Sequence, residues 1–138
     1  MPPKAGKLIV VSTPIGNLED ISIRAINSLK ASDLIACENT KHSSILLNKY
    51  EITSKRISLH KFNEASRIES LIKALDEGKS VAYISDAGTP LISDPGARLV
   101  HKVASANHEI QIIPGPSAVT SAIAGAGLPA NKFFFGGF

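Results

Sequence analysis

Cysteine is almost absent from this chain of 138 residues. Cys37 stands alone, which excludes an internal disulfide and a cysteine-rich metal centre and agrees with a reducing compartment. Long hydrophobic runs are missing too. The longest uncharged stretch, Ile110 to Asn131, is interrupted by Pro114, Pro116, Gly125, Gly127 and Pro129, so it offers no clean membrane span. Met1 to Lys7 carries two lysines, but only the short apolar run Leu8 to Ser12 follows, too little for a secretory signal core. These absences predict a cytoplasmic chain with no membrane partner. Aromatics are sparse at 5%, and four of the seven, Phe133, Phe134, Phe135 and Phe138, fall in the last six positions. A terminus this apolar is expected to pair as a sixth strand or to lead into a further unit.

Familiar cofactor and catalytic signatures are also lacking. There is no Gly-x-x-x-x-Gly-Lys-Ser/Thr phosphate loop, and the first strand runs into Thr13-Pro14-Ile15-Gly16 rather than Gly-x-Gly-x-x-Gly, which disfavours ordinary dinucleotide binding. His42, His60, His101 and His108 show no paired metal spacing with Cys37, so no metal site is expected. Ser85, Ser93 and Ser117 have no adjacent histidine and no Gly-x-Ser-x-Gly elbow, which leaves a hydrolase triad unsupported. Cys37 ends an apolar run and reads as a small buried residue rather than a nucleophile.

What remains is 43% hydrophobic and 20% charged, the profile of one domain able to bury a core. Ten glycines and eight prolines sit in clusters between apolar runs, so they punctuate structure. Five runs predict strands: Lys7 to Ser12, Asp33 to Cys37, Arg56 to His60, Ser80 to Ser85 and Glu109 to Pro114. Between and after them, helical periods predict helices over Ile21 to Ala31, Thr40 to Tyr50, Asn63 to Glu77, Gly96 to Ala106 and Ser117 to Gly125. In the third helix Ile68, Leu71, Ile72 and Leu75 recur at spacings of three and four, and Gly78 follows as a stop. Leu8-Ile9-Val10-Val11 is apolar on both faces, as parallel strands covered by helices on two sides must be. The expected fold is α/β, a mostly parallel open sheet of five to six strands flanked by helices.

In such sheets ligands bind outside the carboxyl ends of the strands. Three Gly/Pro-rich loops fall there: Thr13 to Asp20, Ser85 to Gly96 and Pro114 to Ala118. Asp86, directly after the fourth strand, suits an amine or ribose hydroxyl, with an Asx turn as the alternative. Asp94, before Pro95 and Gly96, reads as a helix N-cap in preference to a ligand contact. Asp20 is placed to cap the first helix. Ser117 is equally suited to plain capping and to a helix start that meets an anion. Residues 41 to 61 hold Lys41, Lys49, Lys55, Arg56 and Lys61 against Glu51 alone, while the other ten basic and eleven acidic residues nearly cancel. That segment is either a solvated face or a phosphate-binding patch.

At these loops the chain resembles the tetrapyrrole methylase superfamily of S-adenosylmethionine-dependent methyltransferases, and within it the branch that modifies small-subunit ribosomal RNA. The resemblance rests on Thr13-Pro-Ile-Gly-Asn-Leu-Glu-Asp20, Asp33-Leu-Ile-Ala-Cys-Glu38, His60 with Asn63-Glu64, Ser85-Asp-Ala-Gly-Thr-Pro-Leu-Ile-Ser-Asp-Pro-Gly96, Pro114-Gly-Pro-Ser-Ala118 and Gly127-Leu-Pro129. It runs over nearly all 138 residues, and the Ser85 to Gly96 string is its most specific part. It implies a homodimeric enzyme that methylates the ribose 2′-hydroxyl of a cytidine in small-subunit rRNA or the 30S subunit. The cofactor, S-adenosylmethionine, would lie in a cleft between two α/β domains. This chain, residues 1–138, would be the N-terminal domain, with the C-terminal domain absent and the fragment alone inactive. The implied cofactor contacts are Pro14 and Gly16 of the first loop, Asp86, Ala87, Gly88, Thr89 and Pro90 of the second, and Pro116, Ser117 and Ala118 of the third. Lys41, Lys49, Lys55, Arg56 and Lys61 would meet RNA phosphates. The family pattern Glu-Asp-Thr-Arg reads Glu38-Asn39-Thr40-Lys41 here, and a lysine does not reproduce the planar fork of arginine. Methyl transfer to a hydroxyl is an in-line displacement that mainly requires alignment, with a general base to take the proton. Glu38 and Asp86 suit that base by chemistry, and the resemblance places Asp86 with the cofactor. A remnant that only dimerises or binds RNA, and a methylase of a small tetrapyrrole-like acceptor, are the alternatives.

Overall fold

The computed structural model describes residues 6–93 and 96–137. Five parallel strands form one sheet: β1 (Lys7–Val11), β2 (Leu34–Cys37), β3 (Lys55–Ser58), β4 (Val81–Ile84) and β5 (Glu109–Ile113), in the order β3-β2-β4-β1-β5. The register pairs Leu8 with both Val81 and Ile110, and Ala36 with both Ile57 and Tyr83. Five helices complete the fold: α1 (Ile23–Ala31), α2 (Thr40–Lys49), α3 (Glu64–Asp76), α4 (Ala97–Ser105) and α5 (Ala118–Gly125). None is long and apolar enough to cross a membrane among the described residues.

Strand alternation sorts the core onto two faces. Ile9, Val11, Ile35, Cys37, Ala82 and Ile84 pack against Ala25 and Leu29 of α1 and Leu46 and Leu47 of α2. Leu8, Val10, Ala36, Val81 and Tyr83 pack against Ile68, Leu71 and Leu75 of α3 and Leu99 and Val103 of α4. Each fully buried Leu or Ile contributes roughly 1.5–3 kcal/mol. The chain moves outward from β1 to β3 with α1 and α2 on one face. It then reverses through β4 to β5 with α3 and α4 on the other, as right-handed crossovers require. The loops leaving neighbouring β1 and β4 therefore diverge to opposite faces and open a crevice at the carboxyl edge.

One expectation needs correction, and one alternative is not taken up. Asp20 does not cap α1: it sits in a 3-10 turn (Leu18–Asp20) that Asn17 caps, and Ser22 Oγ accepts from the Ala25 N–H at 3.0 Å. The nearer hydroxyl takes the cap because α1 begins two residues later than its apolar pattern suggests. No sixth strand forms over Phe133 to Gly137, where Phe134 is 92% exposed, and Phe138 lies outside the described residues. The backbone from Pro129 carries no strand pairing, so the aromatics alone do not recruit it to the open β5 edge. The expected cap at Asp94 also falls outside the described residues. Gly78 ends α3 as expected, with φ +84 and its N–H bonded to Leu75 O.

Gly96, at the start of α4, has φ +114, and a Cβ there would lie 2.5 Å from Tyr83 Cε1 and 3.0 Å from Leu91 Cδ2. Gly96→Ala is expected to cost roughly 2–4 kcal/mol through backbone strain and overpacking. Urea denaturation against the parent chain measures it.

Candidate functional site

Non-local hydrogen bonds fasten the three loops to one another. After β1, Ser12 and Thr13 are buried, and the Thr13 and Gly88 backbones exchange two bonds, Thr13 N–H to Gly88 O at 3.1 Å and the reverse at 2.9 Å. Gly88 makes that approach with φ +77, and a Cβ on it would stand 3.2 Å from Ile15 Cγ2. The Thr89 hydroxyl donates to Pro116 O at 3.1 Å, so Ser12 Oγ, at 2.9 Å, donates to Thr89. One threonine thus joins the loops after β1, β4 and β5. Gly88, Leu91, Ser93 and Gly96 all have positive φ. For Leu91 and Ser93 that is strain of the sort found at ligand sites.

Three cavities open around this knot. The first, about 210 Å³, is lined by Pro14, Gly16, Asp86 and Ala87 together with Ile15, His42 and Ser43. The His42 ring Nε2–H donates to Asp86 O at 3.1 Å, tying α2 to the β4 loop. The second, about 470 Å³, is lined by Ala87, Gly88, Thr89, Ser117 and Ala118 with Ile15, Ile92, Val119 and Phe135. The third, about 500 Å³, brings Glu38 and Asn39 after β2, His60 to Phe62 after β3 and Asp86 after β4 onto one opening. Asp86 therefore borders both the first and the third. Its Oδ1 is buried and has no hydrogen-bond partner among the described residues, an unusual condition for a carboxylate. Ser117 makes no side-chain cap on α5, so capping does not explain it. Pro90 is buried, and neither Pro90 nor Pro116 lines any of these three cavities; Pro116 serves as the acceptor for Thr89.

The five cations of residues 41 to 61 are separated by the fold. Lys41 and Lys61 stand at the carboxyl edge, on the first turn of α2 and after β3. Lys49 ends α2, 5.9 Å from the Tyr50 ring centroid, and Lys55 opens β3 at the opposite edge of the sheet. Arg56 is a clamp: its guanidinium donates to Ser44 Oγ at 2.9 Å, Asn48 Oδ1 at 3.2 Å and Ile52 O at 2.7 Å. Asn39 caps α2, accepting from Lys41 N–H at 3.0 Å and His42 N–H at 3.1 Å. Asn and Asp are equivalent caps, so the departure from the family pattern keeps this role. Sequence reasoning did not single out Ser12, His42, Ser43 or Phe62. Their shared signal is position within a few residues of a strand's carboxyl end.

The match to the tetrapyrrole (corrin/porphyrin) methylase family model covers residues 7–136. The chain belongs to that family. Among its relatives, ribosomal RNA small subunit methyltransferase I of Thermotoga maritima is 52% identical over 133 residues, 96% of this chain and 60% of that protein. The protein of the same name from Escherichia coli is 46% identical over 133 residues, again 96% of this chain but 46% of that protein. The chain thus spans about half the length of the curated relatives it matches. Two solved family structures share the fold: uroporphyrin-III-C-methyltransferase from Thermus thermophilus and the cobalt precorrin-4 methyltransferase. The first has a TM-score of 0.70 at 21% identity, covering 90% of this chain and 54% of that one. The second has a TM-score of 0.69 at 19% identity, covering 87% and 50%.

Cys37 is buried, and burial pushes its thiol up from 9.0 to about 11, with Ser43 and Arg56 opposing only in part. The buried thiol therefore stays protonated near neutrality and is a poor nucleophile. Below pH 9 the thiol is protonated in both folded and unfolded chains. Above it the unfolded chain ionises first, so stability falls as pH climbs from about 9 through about 11. Over that window the parent chain is expected to lose on the order of 2 kcal/mol more than Cys37→Ala. Paired denaturation curves across the pH range give the difference.

Proposed function

We propose that this chain is the N-terminal, cofactor-lining domain of an S-adenosylmethionine-dependent methyltransferase acting on the ribose 2′-hydroxyl of a cytidine in small-subunit rRNA. One observation carries the choice of acceptor. Identity is 46–52% to proteins named for small-subunit rRNA and only 19–21% to the solved porphyrin and precorrin methyltransferases. That contrast also disfavours a small tetrapyrrole acceptor.

The residues suit the cofactor. S-Adenosylmethionine presents an ammonium, a carboxylate, a ribose diol and a flat adenine. Asp86 Oδ1, buried and unpartnered, is an acceptor for the ammonium or a ribose hydroxyl. The opening N–H groups of α5, not capped by Ser117, suit a carboxylate or other polar oxygen. Ile15, Ile92 and Val119 offer an apolar wall for adenine. When bound, the cofactor supplies an electrophilic methyl group. The chain's own task is alignment, for which the Thr13–Gly88 and Thr89 bonds fix the loops in advance. Glu38, which lines the third cavity together with Asp86, is the carboxylate we assign to accept the 2′-hydroxyl proton. Lys41 and Lys61 at the same edge would hold phosphate, and Lys49, Lys55 and Arg56 would add to the field. In this reading α5, none of whose residues is buried, and Phe133 to Phe135 meet the second domain or the partner of a homodimer in the cytoplasm.

A second reading follows from the partial coverage of the relatives: alone, the chain is a non-catalytic dimerisation or RNA-binding module. Incubation with S-adenosylmethionine and small ribosomal subunits separates the two, since turnover by the 138 residues alone would exclude it. Calorimetry of the chain with S-adenosylmethionine is expected to give weak binding that Asp86→Ala reduces at least tenfold. Equal affinity would remove Asp86 from the site. A Cβ at Gly16 meets nothing within 4 Å, so Gly16→Ala should leave the melting temperature unchanged while weakening the same binding.

A further inference from the structure

We infer that the turn following β3 is a stacking platform for one unpaired base of single-stranded RNA, with Phe62 as the stacking ring and Lys61 as the phosphate contact. The inference deepens the rRNA reading above and rests on it for the ligand class.

Phe62 is 85% exposed, yet its backbone is firmly held. Asn63 Oδ1 accepts from the His60 N–H at 2.8 Å, and Asn63 Nδ2 donates to Ser58 O at 3.3 Å and Ser58 Oγ at 3.1 Å. The Asn63 N–H closes the turn on His60 O at 3.1 Å, and Leu59 anchors it in the core. Asn63 gives α3 no side-chain cap; its side chain braces the turn instead. The Phe62 N–H donates to His60 Nδ1 at 3.2 Å, which leaves the neutral ring's proton on Nε2. The fold therefore fixes the base of a large apolar side chain that gains it almost nothing by burial.

A single exposed apolar residue is ordinary. This one is set apart by its neighbours. Lys61 Nζ stands 5.0 Å from the Phe62 ring centroid, and the His60 ring meets it near edge-on at 5.9 Å. The three residues share the third cavity with Glu38 and Asp86, the two carboxylates suited to chemistry at a hydroxyl. An aromatic face beside a cation grips unpaired nucleotides, because every base has a π-face and every linkage a phosphate. A-form duplex keeps its bases stacked inside, so a splayed nucleotide is the form this platform fits. A base anchored on Phe62 would hold its nucleotide at the opening that Glu38 and Asp86 also line.

The chain contains no tryptophan, so Phe62→Trp introduces a single tryptophan at the platform, excited selectively over the two tyrosines. Its emission should be quenched by a short oligocytidylate and not by inorganic polyphosphate of equal charge. Phe62→Ala should weaken oligocytidylate binding about tenfold and Phe62→Tyr should largely retain it. Lys61→Ala should lower the slope of log affinity against log salt by about one. All variants should melt with the parent chain and keep its affinity for S-adenosylmethionine. The platform is overturned if oligocytidylate does not bind, if Phe62→Ala binds it as tightly as the parent, or if polyphosphate quenches equally. It is also overturned if emission changes with protein concentration in the absence of RNA, which would make Phe62 a protein–protein contact. Phe62-dependent RNA binding without any S-adenosylmethionine binding would retain the platform and remove the cofactor-lining role proposed for these 138 residues. Intact cofactor binding with Phe62-independent RNA binding would do the reverse.

Discussion

The paired bonds between Thr13 and Gly88 are the constraint on which the candidate site depends. The crossovers send the loops after β1 and β4 to opposite faces of the sheet, and left to themselves those loops would part. Two backbone bonds, made possible by a glycine at φ +77, hold them together across the divergence. Thr89 then extends the same fastening to the loop after β5, and His42 extends it to α2. The cavities on either side of the bridge are consequences of where it sits.

The elements of the fold were legible because their signals are local. Leu8-Ile9-Val10-Val11 is apolar at every position, and the structure uses both alternations, Leu8 and Val10 toward α3 and α4, Ile9 and Val11 toward α1 and α2. The apolar stripe of α3 and its glycine stop are equally local. Strand order is different in kind, since nothing in β4 itself says that it inserts between β2 and β1. The exchange of Asp20 for Ser22 as the cap of α1 turned on which of two nearby residues could reach the first turn. For Phe133 to Phe135, composition suggested pairing, but strand formation needs a backbone in register with an edge as well as apolar side chains.

The site was legible in part. The Gly/Pro loops announced themselves, and the structure does bring them to one edge. Their division of labour was hidden: Pro90 is buried and Pro116 accepts from Thr89, whereas Gly88 and Thr89 both fasten the loops and line a cavity. The clustered charge of residues 41 to 61 was also misleading as a guide to shape. A helix running away from the carboxyl edge and a strand returning to it distribute this short segment over both edges of the sheet, so proximity in sequence became distance in space. Arg56 shows a second route by which a cation leaves the solvent-facing inventory, through three hydrogen bonds that fix α2 against β3.

The cap of α2 has a consequence for kinetics. An aspartate there would set a full negative charge against the positive end of the helix, whereas Asn39 satisfies the same N–H groups with a neutral amide. With Lys41 in the following turn, the rim facing Glu38 and Asp86 is left one charge more positive than an aspartate would make it. Such a surplus acts beyond contact distance, within about a Debye length of 8 Å at physiological salt. A polyanion approaching the carboxyl edge would feel it before any specific contact formed, and its signature would be an encounter rate that falls as ionic strength rises.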